Sequence, residues 1–288
     1  MVRTAAYGTW QSPISVDDVA AEGGRPDWLA VHDGAVWWTQ SLPAEGGRLT
    51  LVVAEGADEP RELLPAPWNV RNRVQEYGGR PWVLLPRSDG QLVAFTNWAD
   101  QRMYVFDPAA AEPAPVPITP TPEKKHGWRY ADLVAGAGGD EVWCVRETVT
   151  GDKPTDIRRE LVAIPVSGAA VNNADEIRII ANSHHFLTAP KPSPNGRHIA
   201  WLGWNHPAMP WDGTQLCIAE SGGKSTVGNG KNTAEYGGKN TVENYRVVAG
   251  GPRESVCQFE WEDDDNILAL TDPEGWWNLH RIQLNSDS

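Results

Sequence analysis

Residues 194–204 read PNGRHIAWLGW, a two-residue turn followed at once by an apolar run with the composition of a buried strand. Asn and Gly suit the tight turns of hairpins because they tolerate positive φ, whereas Ile, Trp and Leu fit a pleated, half-buried surface. The same layout of turn and apolar strand recurs four more times. The other segments are HDGAVWWTQ from His32, SDGQLVAFTN from Ser88, GGDEVWCVRE from Gly138 and DDDNILALTD from Asp263.

The spacing of these segments indicates a structural repeat. Successive turn residues lie 56, 50, 56 and 69 positions apart, and we expect φ > 0 at each of them. They are Gly34, Gly90, Asp140, Gly196 and Asp265. The repeat around the fourth turn has four predicted strands. HHFLTAP at 184–190 precedes the turn, the apolar run up to Trp204 follows it, and LCIAE from Leu216 and YRVVAGG at 245–251 come next. Four antiparallel strands per repeat are typical of a β-propeller blade.

The sequence therefore predicts an all-β protein: a β-propeller of four-stranded antiparallel blades, about five of them, in an incomplete or open ring. The expected blades cover residues 25–67, 76–121, 128–183, 184–251 and 255–288. The last lacks a fourth strand after LHRIQL, unless a segment around 4–14 supplies it. A polar stretch at 221–243 predicts a surface loop. A sandwich or barrel of unrelated hairpins is the alternative, which the repeated order of elements disfavours.

Composition excludes several classes of function. The formal charge is −13, from 25 basic and 38 acidic residues, which argues against a nucleic-acid or anionic-membrane partner. No apolar stretch approaches the ~20 residues needed to span a bilayer, and the N-terminus has no apolar leader segment. Cys144, Cys217 and Cys257 each stand in an apolar run, so we expect reduced, buried thiols in a cytoplasmic protein. Most strand tryptophans, Trp276 and Trp277 among them, are expected to pack in the core.

Catalytic motifs are absent from the sequence. No serine stands in the G-x-S-x-G elbow of an α/β-hydrolase, and GGKST at 222–226 lacks the first glycine of a phosphate loop. Asp263 to Asn266 fit a solvated hairpin turn better than a calcium loop, since they lack its alternating ligand spacing. We therefore expect no catalytic residue, no cofactor and no metal. A metal-dependent hydrolase with an axial site stays as an alternative, because blades can gather ligands from separate strands.

Two loops carry the candidate binding residues. VRNRVQEYGGRPW at 70–82 places charged and aromatic side chains before a Gly-Gly turn, and WNHPAMPWDGT at 204–214 places Trp, His and Pro between two strands. Each is either a binding loop at a face of the ring or a structural corner. The candidates are Arg71, Arg73, Glu76, Tyr77, His206, Trp211 and Asp212.

These loops also carry a family resemblance. EYGGRPW, then 193–220 with its string HPAMPWDGT, then 249–282, are similar to the N-terminal propeller of prolyl oligopeptidase-family serine peptidases, in the acylaminoacyl-peptidase and dipeptidyl-aminopeptidase-like branch. The similarity runs from Tyr7 to Ile282. In that family an α/β-hydrolase domain with a Ser-Asp-His triad follows a propeller of about seven blades. This chain departs from the pattern, because it has five partial repeats and no hydrolase domain.

The resemblance implies a non-catalytic propeller that admits peptides to a hydrolase domain, with that domain and the peptide as partners. No triad residue can be carried over to any position here, so the chain alone is expected to be inactive. A stand-alone propeller that binds a protein or peptide is the rival hypothesis. In an open ring, unpaired blade edges also predict self-association.

Overall fold

The computed structural model describes residues 4–10, 12–20, 24–87, 90–112, 114–221 and 245–284. The chain divides into two compact units, Met1–Pro65 and Ala66–Ser288. The described strands form five antiparallel sheets, four with four strands and one with three. This confirms the predicted all-β propeller of four-stranded blades. In the described part of the chain, no helix is long and apolar enough to cross a membrane.

The first unit contains a short helix, α1 (Val16–Ala20), and one sheet in the order β1-β2-β3-β4. Its strands are β1 (Pro26–His32), β2 (Ala35–Leu42), β3 (Arg48–Glu55) and β4 (Arg61–Glu62), with a 3₁₀ turn at Pro43–Glu45. Buried Arg48 donates to Glu45, to Glu62 and, at 2.8 Å, to the carbonyl of Leu64. The guanidinium of Arg48 thus connects β3 to the short last strand, β4, and to the segment that follows it.

The second unit contains four sheets, each formed by consecutive strands. The first two consist of β5 (Trp82–Arg87), β6 (Gly90–Thr96), β7 (Met103–Phe106) and β8 (Val116–Pro117), then β9 (Trp128–Ala135), β10 (Glu141–Val149), β11 (Ile157–Pro165) and β12 (Arg178–Ala181). The others consist of β13 (Phe186–Pro192), β14 (His198–Trp204), β15 (Gln215–Glu220) and β16 (Arg246–Gly250), then β17 (Val256–Trp261), β18 (Asn266–Thr271) and β19 (Asn278–Gln283). Short 3₁₀ turns lie at Val74–Glu76, Ala169–Val171 and Ala174–Glu176.

Neighbouring sheets of this unit pack face to face through apolar side chains. One buried cluster joins β5–β8 to β9–β12 and includes Leu85 and Leu133. A second joins β9–β12 to β13–β16 through Trp143 and Trp201, and a third joins β13–β16 to β17–β19 through Leu202 and Phe259. The two middle sheets, β9–β12 and β13–β16, carry buried apolar side chains on both faces and lie between two other sheets, which is the packing of successive propeller blades.

The first strands of consecutive sheets meet through polar side chains. Asp132 on β9 accepts the backbone N–H of Arg80 at 3.1 Å and the hydroxyl of Thr188 on β13. Lys191 on β13 in turn donates to Glu260 on β17 and to the carbonyl of Phe259 at 2.8 Å. Burial lowers the pKa of the Arg80 guanidinium, and the carboxylates of Asp132 and Glu260 counteract this. These pairs hold the inner edges of four sheets together.

Two of the five predicted turn conformations are wrong. Gly34, Gly90 and Gly196 have positive φ as expected, but in the third repeat the left-handed residue is Gly139 rather than Asp140. In the fifth turn Asp265 is not left-handed either. There the carboxylate of Asp263 accepts the N–H of Asp265 at 2.8 Å, so a side chain closes the turn instead of a glycine.

Three predictions of burial also need correction. Cys144 and Cys217 are buried, but Cys257 is exposed, because the register of edge strand β17 shifts between Val256 and Gln258. Trp276 and Trp277 are 79% and 53% exposed, since they lie in the turn before β19 rather than in a strand.

The predicted polar loop at 221–243 lies outside the described residues except for Ser221. Residues 4–10 and 12–15 contain no strand, so the fifth sheet has three strands in the described chain.

Candidate functional site

The candidate loops lie at one end of the sheets of the second unit. Successive strands of an antiparallel sheet run in opposite directions. The segment that leads into the first strand and the turn between the second and third strands therefore lie at the same end of the sheet, here called the upper end. The segments there include 68–81 before β5, 97–102 between β6 and β7, and 205–214 between β14 and β15. Both loops predicted from the sequence therefore lie at the upper end.

Three buried polar side chains fix the backbone of the loop at 72–79. Asn72 accepts the N–H groups of Val74 at 3.3 Å and Gly79 at 3.1 Å and donates to the Gly79 carbonyl. Gln101, from the β6–β7 turn, accepts the N–H of Arg73 at 2.8 Å. Glu147, on β10 of the next sheet, accepts the N–H of Gln75 at 3.0 Å. This loop therefore has a defined conformation, set by two blades.

The loop at 72–79 contains backbone strain. Gln75 and Glu76 both have left-handed φ values, 54° and 63°. Such conformations cost about 1–3 kcal/mol each in residues other than glycine and persist where the surroundings over-determine them. The strain directs the next side chain, Tyr77, outward, where it is 92% exposed. An exposed aromatic ring on a rigid, strained loop is a common feature of binding sites.

A row of alternating charge supports this loop. Arg129, Glu147 and Arg159 are direct cross-strand neighbours on β9, β10 and β11. Fully buried Glu147 accepts from Arg159 at 2.8 Å and lies 3.6 Å from Arg129. Arg129 also donates to Glu76, and this hydrogen bond holds the pKa of the Glu76 carboxyl below its usual value. The row thus connects the core of one blade to the loop of another.

Arg71 and Arg73 lie on the same aromatic ring. The guanidinium carbon of Arg71 is 4.4 Å from the ring centroid of Trp98, and that of Arg73 is 5.2 Å from it. Arg73 donates to Glu76 at 3.2 Å. In the described chain, the Arg71 side chain has no hydrogen-bond acceptor, and it is exposed.

The second loop is held by its own set of contacts. The carboxylate of Asp212 accepts the N–H of Met209 at 2.9 Å, and the hydroxyl of Ser255 donates to the Pro210 carbonyl at 2.8 Å. Asp212 is therefore a turn residue, whereas Trp211 is 60% exposed. The N–H of His206 donates to His185 at 3.2 Å.

Contacts between side chains connect the two loops. From Glu76 they pass through Arg129, Glu147 and Arg159. Arg159 lies 4.5 Å from the ring of Phe186, which stacks on Trp204 with the centroids 5.2 Å apart, immediately before the second loop. Four of the seven predicted residues (Arg71, Arg73, Glu76 and Tyr77) thus form one structured patch, to which His206, Trp211 and Asp212 connect only indirectly.

His184 lies beneath this region in a closed hydrogen-bond network. Its ring nitrogens lie 2.8 Å from the Ser183 hydroxyl and 2.9 Å from the Gln215 amide oxygen, and the Trp201 indole N–H donates to the same hydroxyl. In the neutral tautomer with the proton on Nε2, Nε2–H donates to Gln215 and Nδ1 accepts from the Ser183 hydroxyl, so both ring nitrogens have partners. Burial lowers the pKa of His184, and the adjacent His185 adds to this, while the bond to Gln215 opposes it.

We expect the His184 network to weaken the fold in acid. Between the depressed native pKa and about 6.5, the unfolded chain binds a proton that the native protein does not. The contribution of His184 to stability is therefore complete above about pH 6.5 and is lost as the pH falls toward the native pKa. Urea unfolding at about pH 7.5 and 5 should show a smaller pH dependence in His184→Gln than in the wild type. Exposed His206→Gln is the control, and an unchanged pH dependence in His184→Gln would contradict the assignment.

Comparison with solved structures places this arrangement in a family. The chain is similar to a puromycin-hydrolyzing peptidase of Mycobacterium tuberculosis, with 40% identity and a TM-score of 0.83 over 99% of this chain and 41% of the peptidase. A puromycin hydrolase matches with 41% identity and a TM-score of 0.84, over 100% of this chain and 42% of its own. Over nearly its whole length, the chain resembles the N-terminal propeller of a prolyl oligopeptidase-family enzyme.

The chain spans about two fifths of the length of these relatives. A structure of prolyl endopeptidases matches 90% of this propeller and 34% of its own chain with a TM-score of 0.53, and at 12% identity it shows the fold alone. No family model matches the sequence, and no curated protein does.

Sequence reasoning missed the residues that build the site around the propeller's loop. Gln101, Glu147, Arg129 and Arg159 act by contacts between elements far apart in sequence, whereas Asn72 acts within its own loop. One signal was available, since RRE at 158–160 and VRE at 145–147 place charges inside apolar strands, where a buried ion pair is the usual explanation. No group of three His, Cys, Asp or Glu side chains that could hold a metal occurs among the propeller's described residues.

Proposed function

We propose that this chain forms the non-catalytic, substrate-gating propeller of a serine peptidase of acylaminoacyl-peptidase type. Peptide-bond cleavage would be carried out by an α/β-hydrolase domain that these 288 residues do not include. The observation that carries the proposal is the 40% identity over 99% of this chain to a peptidase of which it spans 41%. The relatives hydrolyse puromycin by their names, and we extend to this chain the expectation of small aminoacyl or peptide substrates.

The upper end of the sheets is the proposed side of contact with substrate. Its loops expose Tyr77 and Trp211. The strained loop is fixed by its own buried Asn72 and by Gln101 and Glu147 from other segments. Rigid loops with exposed aromatic rings give contact area at a low cost in conformational entropy. These loops also include the strings on which the family resemblance depends.

A test of activity separates gating from catalysis. The purified chain alone is expected to hydrolyse neither puromycin nor acyl-amino-acid and dipeptide chromogenic substrates, because it has no positioned nucleophile and base. A serine-specific reagent identifies any turnover that depends on a serine nucleophile. Joined to the remaining part of the puromycin hydrolase in place of that enzyme's own propeller, the chain should support hydrolysis. Turnover by the isolated chain would contradict the proposal.

The same fusion distinguishes a substrate-gating propeller from a stand-alone propeller that binds a protein or peptide. If the fused protein is folded by circular dichroism yet inactive, while the puromycin hydrolase with its own propeller is active, the gating role is wrong. Within an active fusion, Trp211→Ala is expected to raise KM, whereas Val116→Ala, at an exposed apolar residue where β8 begins at the opposite end of the sheets, is expected to leave KM unchanged.

A further inference from the structure

We propose that Arg71, stacked on Trp98, binds a carboxylate group of a peptide. That the ligand is a peptide rests on the proposed function, whereas the chemistry of the site rests on the geometry of this loop. The guanidinium carbon lies 4.4 Å from the Trp98 ring centroid, so the indole covers the guanidinium from one side. Arg71 is exposed, and the N–H donors of its side chain have no acceptor in the described chain. A guanidinium edge matches a carboxylate with two parallel hydrogen bonds.

The charge of the patch favours an anion over a cation. Arg71, Arg73, Arg129 and Arg159 contribute +4, and Glu76 and Glu147 contribute −2, so these six residues carry +2 in a protein of net charge −13. Both carboxylates are already engaged, Glu76 between Arg73 and Arg129 and Glu147 between Arg129 and Arg159. An ammonium group would therefore have to compete with arginines for these carboxylates, whereas a carboxylate finds an arginine side chain without a hydrogen-bond partner among the described residues.

The backbone that carries this pair is fixed before any ligand binds. The N–H of Arg71 donates to the carbonyls of Asn69 at 2.9 Å and Thr96 at 3.1 Å, and Val70 forms a β-bridge with Asn97, next to Trp98. Gln101 donates to the Trp98 carbonyl at 2.8 Å while it accepts from the N–H of Arg73. Ring and guanidinium are thus carried by one rigid unit, which reduces the entropy lost on binding.

The test measures binding by the full chain, without catalysis. The probe is trialanine, titrated into labelled protein while the indole N–H resonance of Trp98, assigned with Trp98→Phe, is followed by NMR. We expect weak binding, with a dissociation constant of millimolar order or higher, because a single exposed ion pair stabilises a complex only slightly. Trialanine amide should bind at least about tenfold more weakly, the ratio that about 1.4 kcal/mol corresponds to.

A third probe identifies the source of the carboxylate. Acetyl-Ala-Asp-Ala-amide carries its only carboxylate on a side chain. Binding by this probe as well as by trialanine assigns the site to carboxylates in general, and binding by trialanine alone assigns it to the peptide C-terminus. Equal affinity for trialanine and its amide would overturn the proposal.

Variants of the arginine complete the test. Arg71→Gln is expected to weaken trialanine binding about tenfold, and Arg71→Lys less, because lysine keeps the charge but loses the planar edge. Arg197→Gln, at an exposed arginine in the β13–β14 turn at the opposite end of the sheets, is the matched control. Unchanged affinity in Arg71→Gln would also overturn the proposal. An inactive fusion together with carboxylate binding by the chain would refute the proposed function alone, and an active fusion without carboxylate binding would refute this inference alone.

Discussion

Replacing Glu147 by glutamine lowers the free energy of unfolding by about 3 kcal/mol, the expected result of removing one partner from a buried ion pair. Glu147 is fully buried, and its carboxylate accepts from Arg159 and from the N–H of Gln75 while it faces Arg129. Glutamine has nearly the same shape, so the change leaves no cavity. It leaves two guanidinium groups, each largely buried, without the negative charge between them.

Urea unfolding followed by circular dichroism measures this effect. The matched control is Glu76→Gln, which removes a carboxylate from the same Arg129 at a position that is 58% exposed. Solvent screens that pair, and a loss of no more than about 1 kcal/mol is expected. Equal losses of unfolding free energy in the two variants would show that the burial of Glu147 does not make its ion pairs with Arg129 and Arg159 more important than the exposed pair of Glu76. Glu147→Gln should also increase hydrogen exchange at Gln75, whose N–H loses its charged acceptor.

Replacing Trp201 by alanine is expected to cost about 4 kcal/mol of unfolding free energy, in the range of large-to-small changes in a core. Trp201 on β14 is completely buried between two sheets, packs against Tyr245 and donates to the Ser183 hydroxyl at 3.2 Å. Alanine removes the indole from the cluster that joins β9–β12 to β13–β16. It also leaves the hydroxyl next to His184 without one of its partners.

Trp276→Ala is the control for this second change, because it removes the same side chain at a position that is 79% exposed. We expect a change within about 0.5 kcal/mol, as for ordinary surface substitutions. Trp201→Phe should recover part of the lost stability, since a smaller ring fills part of the space. A loss of less than about 1 kcal/mol in Trp201→Ala would mean that this core relaxes around the cavity.

The repeat was predictable because its information is local. A turn such as PNG and the apolar run that follows it lie within a dozen residues, so hairpin and strand are specified together. The exceptions have local causes as well. Asp265 is not left-handed because the Asp263 carboxylate closes the turn, and Cys257 is exposed because of a register shift in β17. Neither a side-chain hydrogen bond nor a shift in register alters the pattern of residue types.

The candidate site was predictable only in part. Arg71, Arg73, Glu76 and Tyr77 stood out because charged and aromatic residues crowd before a Gly-Gly turn. Gln101 and Glu147 did not stand out. A polar residue in a turn is ordinary in sequence, and the charges around Glu147 indicate a buried ion pair but not the loop that it supports. Their importance comes from backbone N–H groups 28 and 72 residues away.

The order of residues alone determined that this protein consists of similar four-stranded sheets, because period-two alternation and turn chemistry act between near neighbours. Tertiary structure alone decided that the loop at 72–79 is strained, that Glu147 lies between two arginines, and that Arg71 keeps a free edge on Trp98. The physical reason is that a buried charge or a left-handed residue is stable only when groups from other blades compensate it. Such compensation depends on packing in three dimensions, which no local pattern specifies.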